Sequence, residues 1–241
     1  MLRVGLTGGL GSGKTTVAAL LRERGAQVME ADEMGRALME PGQAVYDEIG
    51  RAFGAEVVGT DGRLNRVKLA ELAFAGGRIQ ELNAIVHPAV IAAQREWMRE
   101  VFARDAEAVA VVESALIFEV ERDAQARGET ETVLADWRSR FDRVIVVTAP
   151  ENARIARYVE KVCSGKAGAG TDAACRAAAE ADARMRMARQ IPDAEKAARA
   201  DFVIENMGDK AALAAHVAEV WGQLKAESAS SLKNPGSLQF R

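Results

Sequence analysis

Residues 2–16 read LRVGLTGGLGSGKTT, and this stretch decides the fold. It begins as a short apolar run, continues into glycines, and is followed by apolar residues at helical spacing. That order is typical of a strand, a glycine loop and a helix. Residues 8–15 fit the pattern G-x-x-x-x-G-K-[ST] in full, in the context that this pattern requires. We therefore predict a loop whose backbone N–H groups surround phosphate oxygens at the positive end of a helix.

Each residue type in this loop suits a separate task at a nucleoside triphosphate. Glycines such as Gly11 and Gly13 let the backbone wrap closely around phosphate oxygens. Lys14 is expected to reach the β- and γ-phosphates as a point charge, and the Thr15 hydroxyl to ligate Mg²⁺. The predicted nucleotide-binding set is Gly11, Ser12, Gly13, Lys14, Thr15 and Thr16. A glycine turn that binds nothing is the alternative, and the strand and helix on either side disfavour it.

Four further short runs rich in Val and Ile follow along the chain, separated by helical stretches. They cover residues 27–29, 108–112, 144–148 and 202–205. Such alternation predicts an α/β fold of the P-loop NTPase type, with a five-stranded parallel sheet flanked by helices. Right-handed crossovers would place the carboxyl ends of all strands at one edge, where ligands bind.

The spacing of the strands is unequal and suggests added parts. Residues 1–32, 108–150 and 200–225 are expected to form the nucleotide-binding core. Residues 33–107 are too long for a simple crossover and predict an inserted helical subdomain, with one helix over 88–102 that starts at Pro88. Residues 151–199 predict a helical lid that contains a mobile Gly-rich loop at 164–171. Residues 226–241 predict a flexible tail.

Two acidic residues stand at strand ends on the ligand side of the predicted sheet. Asp32 follows the second strand, where a carboxylate can act as base or orienting acceptor for an incoming hydroxyl. Capping of the next helix is an equally good interpretation of Asp32. Glu113 ends the third strand, in the position of a carboxylate that holds Mg²⁺ through water. Strand-ending acids are common, so Glu113 alone is a weak signal.

The predicted lid carries its arginines in pairs at helical spacing. Arg154 and Arg157 share a face, as do Arg186 and Arg189. Such arginines can close over transferring phosphates and exclude water, although a solvated face with salt bridges is the simpler interpretation of any one of them. The spacing of Cys163 and Cys175 in the same region matches no metal template. We expect two ordinary thiols.

Composition restricts the class of protein. The 241 residues include 32 basic and 35 acidic side chains, a net charge of −3, and 49% are hydrophobic. This balance disfavours a nucleic-acid-binding protein. No apolar run is long enough for a membrane span, and no signal-peptide pattern is seen at the N-terminus. With two cysteines only, we expect no disulfide framework and a reducing, cytoplasmic location.

Beyond these motifs, the sequence resembles the dephospho-CoA kinase family nearly from end to end. The resemblance rests on residues 5–17, Glu30-Ala31-Asp32, Arg36, and residues 40–42, 61–66, 82–88, 189–196 and 200–208. It implies ATP, Mg²⁺ and transfer to the 3′-hydroxyl of the ribose of dephospho-CoA. It also implies that Asp32 takes the catalytic-base position, that Arg157 is a catalytic lid arginine, and that Asn206 lies where the adenine is held. His87 and Arg36 fall in regions that line the acceptor pocket.

Some positions depart from the family pattern. Glu30 and Ala115 replace an aspartate and a proline, and Lys161 stands in place of a second lid arginine without the bidentate fork of arginine. Residues 120–141 are longer than the usual connection, and their role is left open. Another small-molecule kinase of the same fold and a nucleotide-gated binding module are the alternative functions. We expect no nucleic-acid or membrane partner, and a monomer or weak homo-oligomer.

Overall fold

The central sheet has five parallel strands in the order β2-β3-β1-β4-β5. The structure is a computed structural model, and it describes residues 1–164 and 171–233. The strands are β1 Leu2–Gly8, β2 Gln27–Glu30, β3 Val109–Glu113, β4 Arg143–Thr148 and β5 Phe202–Glu205. The expected α/β fold with a five-stranded parallel sheet is thus confirmed.

Helices cover both faces of the sheet and form the added parts. They are α1 Lys14–Glu23, α2 Ala31–Leu38, α3 Ala44–Phe53, α4 Arg66–Ala70, α5 Ile79–Arg104, α6 Ile117–Ala126, α7 Trp137–Arg140, α8 Glu151–Cys163, α9 Thr171–Arg189, α10 Asp193–Ala198 and α11 Lys210–Lys233. A 3-10 turn spans Ala55–Val57, and a π-helical turn spans Glu71–Ala75.

Two apolar cores hold the helices against the sheet. On one face, α1 and α11 bury side chains such as Leu21 and Val217 against β1 and β3. On the other face, Phe118, Trp137 and Phe141 pack against β3 and β4. Because both faces are covered, the strands are continuous buried runs rather than alternating ones. Ligand access is left to the carboxyl edge of the sheet.

The inserted subdomain has a core of its own, in which α3 contributes Ile49 and Phe53. The prediction of a helix starting at Pro88 is wrong, because α5 begins at Ile79 and contains Pro88 in its interior. Proline removes one helical hydrogen bond and disfavours a helical residue before it. Burial of α5 against α2, α3 and β3 outweighs that local cost, as tertiary packing commonly overrides propensity.

The C-terminal boundary also differs from the prediction. Helix α11 continues to Lys233, so residues 226–233 are helical rather than frayed. Ser228 is fully buried, and its Oγ donates to the carbonyl oxygen of Glu107 at 2.9 Å. This contact stabilises the end of the helix, and composition alone does not reveal it. Residues 234–241, the rest of the predicted tail, lie outside the described residues.

Helices α8 and α9 form a hairpin, which we call the lid, with Val159 and Ala183 in its core. The expectation of ordinary thiols is wrong, because Cys163 and Cys175 form a disulfide with their Cα atoms 6.1 Å apart. The hairpin brings the two cysteines together, a proximity that sequence spacing does not show. Most of the predicted mobile loop, residues 165–170, lies outside the described residues. In the ranges that the structure covers, no helix has the length and apolar character to cross a membrane.

Candidate active site

The glycine loop between β1 and α1 has the backbone geometry that its sequence predicts. Gly11 and Gly13 adopt φ of 71° and 98°, a left-handed conformation that glycine adopts without strain. A Cβ on Gly13 would lie 2.2 Å from Nδ2 of Asn206, and one on Gly11 would lie 2.2 Å from the carbonyl oxygen of Arg154. Both positions therefore require glycine for conformational and steric reasons.

The Lys14 ammonium lies at the centre of this loop. Its Nζ donates to the carbonyl oxygens of Gly8 and Gly9 at 3.0 and 3.1 Å. Burial lowers the pKa of Lys14 to about 8, opposed by the nearby carboxylates of Glu113 and Asp32. Since this pKa lies above neutral pH, most Lys14 side chains carry a positive charge at pH 7, which suits a phosphate ligand.

Thr15 and Glu113 form a pair of oxygen groups beside Lys14. Thr15 Oγ1 donates to Glu113 Oε1 at 2.9 Å, while Glu113 Oε2 is buried without a hydrogen-bond partner in the described chain. Burial raises the pKa of Glu113, and the Thr15 hydrogen bond partly opposes this. Mg²⁺ prefers oxygen ligands and commonly takes few from the protein, so the chemistry of this pair fits the ion. Thr16 is exposed one residue further along α1.

Arg157 and Asn206 meet at the outer side of the loop. Asn206 Nδ2 donates to the Ser12 carbonyl oxygen at 2.9 Å, and Arg157 Nη2 donates to Asn206 Oδ1 at 3.1 Å. Arg157 Nη1 also contacts the carbonyl oxygens of Gly11 and Ser12 at 3.3 Å. The structure thus brings a lid arginine and the residue after β5 to the predicted phosphate loop.

The other lid arginines have different surroundings. Arg154 is buried, with Nη1 2.7 Å from Asp193 Oδ2 and Nε donating to the Leu10 carbonyl oxygen at 2.9 Å. Arg186 pairs with Asp182, and Arg189 lies 5.3 Å from the centre of the Phe74 ring. Lys161 is exposed. Of these five lid cations, the described contacts place Arg154 and Arg157 against the glycine loop, but the Arg154 guanidinium is already paired with the Asp193 carboxylate.

Next to the loop, a cleft of about 350 Å³ runs between the core and the inserted subdomain. Asp32, Arg36 and His87 all line it, so the three predicted acceptor-binding residues share one cavity. Helix α2 is preceded by Glu30 as its N-cap residue, without a side-chain cap. The Asp32 carboxylate has no hydrogen bond within the described residues and is exposed, so the structure does not show the capping role.

His87 projects into this cleft from α5. Burial lowers the pKa of His87 to about 4, with the positive charges of Arg127 and Arg140 as further causes. The imidazole is therefore neutral at pH 7. Its Nδ1 is buried and has no hydrogen-bond partner in the ranges described, which leaves it available to a polar group of a ligand.

Sequence reasoning missed several residues that shape the site. Arg66, Phe74 and Arg140 also line the cleft. Gln190 Oε1 accepts from the backbone N–H of Leu10 at 2.9 Å, and together with Asp193 it ties the chain after the lid to the glycine loop. Gln190 and Asp193 lie in the stretch 189–196, which resembles the family, but the resemblance assigned no role to either residue.

A parallel sheet, a G-x-x-x-x-G-K-T loop and an adjoining cleft with a carboxylate at its entrance define a P-loop kinase that acts on a small molecule. The dephospho-CoA kinase family model matches residues 2–212. The chain belongs to the dephospho-CoA kinase family.

Individual relatives agree with this family. A dephospho-CoA kinase of Anaeromyxobacter dehalogenans is 39% identical over 238 residues, which is 98% of this chain and 99% of the relative. One of Methylococcus capsulatus is 38% identical over 90% of this chain and 93% of its own. A crystal structure from Thermus thermophilus is 30% identical with a TM-score of 0.66, covering 92% and 97% of the two chains. A dephospho-CoA kinase from Campylobacter jejuni, 18% identical with a TM-score of 0.51 and coverage of 92% and 96%, supports the fold alone.

Family membership confirms the resemblance seen in the sequence. The family phosphorylates dephospho-CoA with ATP in the final step of coenzyme A biosynthesis, and it uses Mg²⁺. This chain is therefore an ATP-dependent kinase of coenzyme A synthesis. The roles of its individual side chains are a separate question, which the geometry addresses.

Proposed function

We propose that the chain transfers the γ-phosphate of ATP to the 3′-hydroxyl of the ribose of dephospho-CoA, with Asp32 orienting that hydroxyl. The observation that carries this proposal is the position of Asp32. It lines the cleft and is close enough to the Lys14 ammonium to influence its pKa. An acceptor in the cleft would thus present its hydroxyl between a carboxylate and the phosphates held by the loop, as in-line transfer requires.

The nucleotide side of the reaction falls to the loop and the lid. Backbone N–H groups of Gly11, Ser12 and Gly13 would cradle the phosphates, and Lys14 would neutralise charge on the transferred group. Arg157 would add a second cation as the lid closes. The contact of Asn206 with the loop supports a position beside the adenosine. Thr15 and Thr16 lie in the first turn of α1, whose positive end would face the phosphates.

Mg²⁺ would be held by Thr15 and Glu113. Bound there, the ion would help to neutralise the negative charge of the nucleotide phosphates during transfer. The unpartnered Oε2 of Glu113 supports this role. Within the described chain, no three His, Cys, Asp or Glu side chains cluster as a metal site, and a cation that takes most of its ligands from nucleotide and water needs no such cluster.

Arg36 and His87 would bind the acceptor from two sides of the cleft. This arrangement supports the predicted division into a nucleotide core, an acceptor-binding subdomain at 33–107 and a lid at 151–199. We also infer a cytoplasmic enzyme that acts as a monomer or weak homo-oligomer, without nucleic-acid or membrane partners. The nearly balanced charge supports the absence of nucleic acid.

The direct test is ADP release with ATP and Mg²⁺, in the presence and absence of dephospho-CoA. Adenosine monophosphate and shikimate serve as control acceptors. We expect turnover only with dephospho-CoA, and a product that has gained one phosphate on the ribose 3′-oxygen by NMR. Turnover with a control acceptor alone, or phosphorylation at another oxygen, would contradict the proposal. Tight ATP binding without turnover would favour a nucleotide-gated binding module.

A further inference from the structure

A buried arginine lines the acceptor cleft at the end of α7. Arg140 is 5% exposed, and its Nη2 donates to the carbonyl oxygen of Ile117 at 2.9 Å. Its Nε is buried and has no hydrogen-bond partner among the described residues. Burial lowers the pKa of Arg140 only to about 10, so the guanidinium keeps its positive charge at neutral pH.

No carboxylate forms an ion pair with this guanidinium in residues 1–164 and 171–233. Two acids influence its pKa, Glu121 and Asp136, and each has another partner. Glu121 forms an ion pair with Arg199. Asp136 caps α7 by accepting from the backbone N–H of Arg138 at 2.8 Å. A buried charge without a counter-ion lowers the stability of the fold, so an anionic ligand would compensate the charge of Arg140.

The described residues around Arg140 supply no negative charge in compensation, and the Phe141 ring, whose centre lies 5.6 Å from the guanidinium carbon, offers only a weaker cation–π contact. Ile117, Val120 and Phe141, which line the same cleft, are apolar. His87 is close enough for the positive charge of Arg140 to lower its pKa, and its imidazole is neutral at pH 7. An anion that enters the cleft would therefore meet an unneutralised guanidinium among apolar groups, where charge-assisted hydrogen bonds are strong.

We propose that Arg140 is a substrate-binding residue that holds the diphosphate of the acceptor through the guanidinium nitrogens that Ile117 leaves free. This inference rests on the proposed function, because the diphosphate is the anionic group of dephospho-CoA. Arginine suits the task, since its planar fork can donate to two phosphate oxygens at once. Diphosphate bound at Arg140 and the ribose hydroxyl at Asp32 would fix the acceptor at two points of one cleft.

The proposal also assigns a function to residues 120–141, for which the sequence alone indicated none. Helix α7 belongs to this stretch, and Trp137 anchors it by edge-to-face contact with Phe118 at 5.5 Å between ring centres. Phe118 is fully buried beneath the sheet. The stretch thus positions Arg140 rigidly against the cleft, as a binding residue requires.

Steady-state kinetics of the R140M and R140K variants test this role. We expect R140M to raise the KM for dephospho-CoA by about ten- to a hundredfold, the effect of losing a charge-assisted hydrogen bond. The KM for ATP stays at the wild-type value, and kcat changes much less than KM. R140K recovers part of the affinity because it retains the charge. R138M is the matched control, because Arg138 lies on the same helix and pairs with Asp201; we expect wild-type kinetics.

Calorimetric binding separates this inference from the proposed reaction, since it needs no turnover. We expect R140M to weaken dephospho-CoA binding, while adenosine, which lacks the diphosphate, inhibits wild type and R140M equally. The melting temperature of the R140M protein without ligand should match or exceed that of wild type, because the substitution removes a buried unpaired charge. Equal loss for adenosine and dephospho-CoA, a raised KM for ATP, or unchanged dephospho-CoA binding in R140M and R140K would overturn the assignment. Failure of wild type to phosphorylate dephospho-CoA would instead contradict the proposed function.

Discussion

Thr15 Oγ1 donates a hydrogen bond to Glu113 Oε1 over 2.9 Å, and this contact joins the first turn of α1 to the end of β3. Parallel pairing of β1 with β3 sets Leu6 opposite Glu113, so the carboxylate reaches the loop that follows β1. Its second oxygen, Oε2, has no partner in the described chain. This geometry supports the proposal that the Thr15 hydroxyl and a Glu113 carboxylate oxygen bind one cation.

Glu113→Gln tests this cation site. The amide oxygen can still accept from Thr15, but the negative charge is lost. We expect the Mg²⁺ concentration for half-maximal activity to rise about tenfold or more, the loss typical of a weakened metal site. A Mg²⁺ titration at saturating ATP measures it. Glu205→Gln is the control, because Glu205 is exposed and also ends a strand. Identical Mg²⁺ dependence of the wild-type and Glu113→Gln proteins would exclude Glu113 from the metal site.

Asp32→Asn removes the carboxylate proposed to orient the acceptor hydroxyl. We expect kcat to fall about 10²- to 10⁴-fold, the range for loss of a general base, with ATP affinity nearly unchanged. Pre-steady-state kinetics and ATP binding measure the two effects. Glu33→Gln provides a matched control, since Glu33 is the next residue on α2 and is also exposed. Wild-type turnover in Asp32→Asn would show that another group has this role.

Arg154 and Arg157 are one helical turn apart, yet the structure predicts different consequences for their loss. Arg154→Met breaks a largely buried ion pair with Asp193, so we expect the free energy of unfolding to fall by about 3 kcal/mol. Arg157→Met should raise the KM for ATP and lower kcat, with a smaller effect on stability. Denaturant unfolding and kinetics of both variants measure this contrast. Equal effects on stability would contradict the separate roles.

The fold was largely predictable because its signals are local. A complete phosphate-loop motif between a strand and a helix, followed by short Val- and Ile-rich runs, determines the sheet. The errors concern long-range contacts. Pro88 lies inside α5 because of packing against other helices, and α11 extends past Ser228 because that side chain bonds to Glu107. The Cys163–Cys175 disulfide likewise depends on the hairpin of α8 and α9.

Candidate site residues could be predicted where a sequence motif specifies the residue type. Prediction was poorer where contacts between distant parts of the chain determine the surroundings of a side chain. Strand ends and loop chemistry singled out Lys14, Thr15 and Asp32 as candidates, and their roles are still predictions. Spacing on one helix face did not distinguish Arg154 from Arg157, because their partners come from the glycine loop, from α10 and from Asn206, which follows β5. Arg140 carried no signal, since a charged residue before a strand is ordinary until its burial is known.

The partly buried imidazole of His87 makes the stability of the protein depend on pH. Burial lowers its pKa to about 4, from a usual value of 6.5. Between these values the unfolded chain binds more protons than the folded one, so stability rises with pH through this window and is lost as pH falls. At pH 5 the loss attributable to His87 is about 2 kcal/mol relative to pH 7.5.

Unfolding free energies at pH 7.5 and pH 5 check this for wild type and His87→Gln. The glutamine does not titrate, so we expect the variant to lose about 2 kcal/mol less than wild type over the same change. The comparison uses the difference between two pH values, and a constant packing cost of the substitution therefore cancels. The chain's one other histidine, His216, is present in both proteins and is therefore common to the two measurements. If His87→Gln loses as much stability as wild type between pH 7.5 and pH 5, the fold does not lower the pKa of His87. The assignment of a neutral imidazole in the cleft would then be wrong.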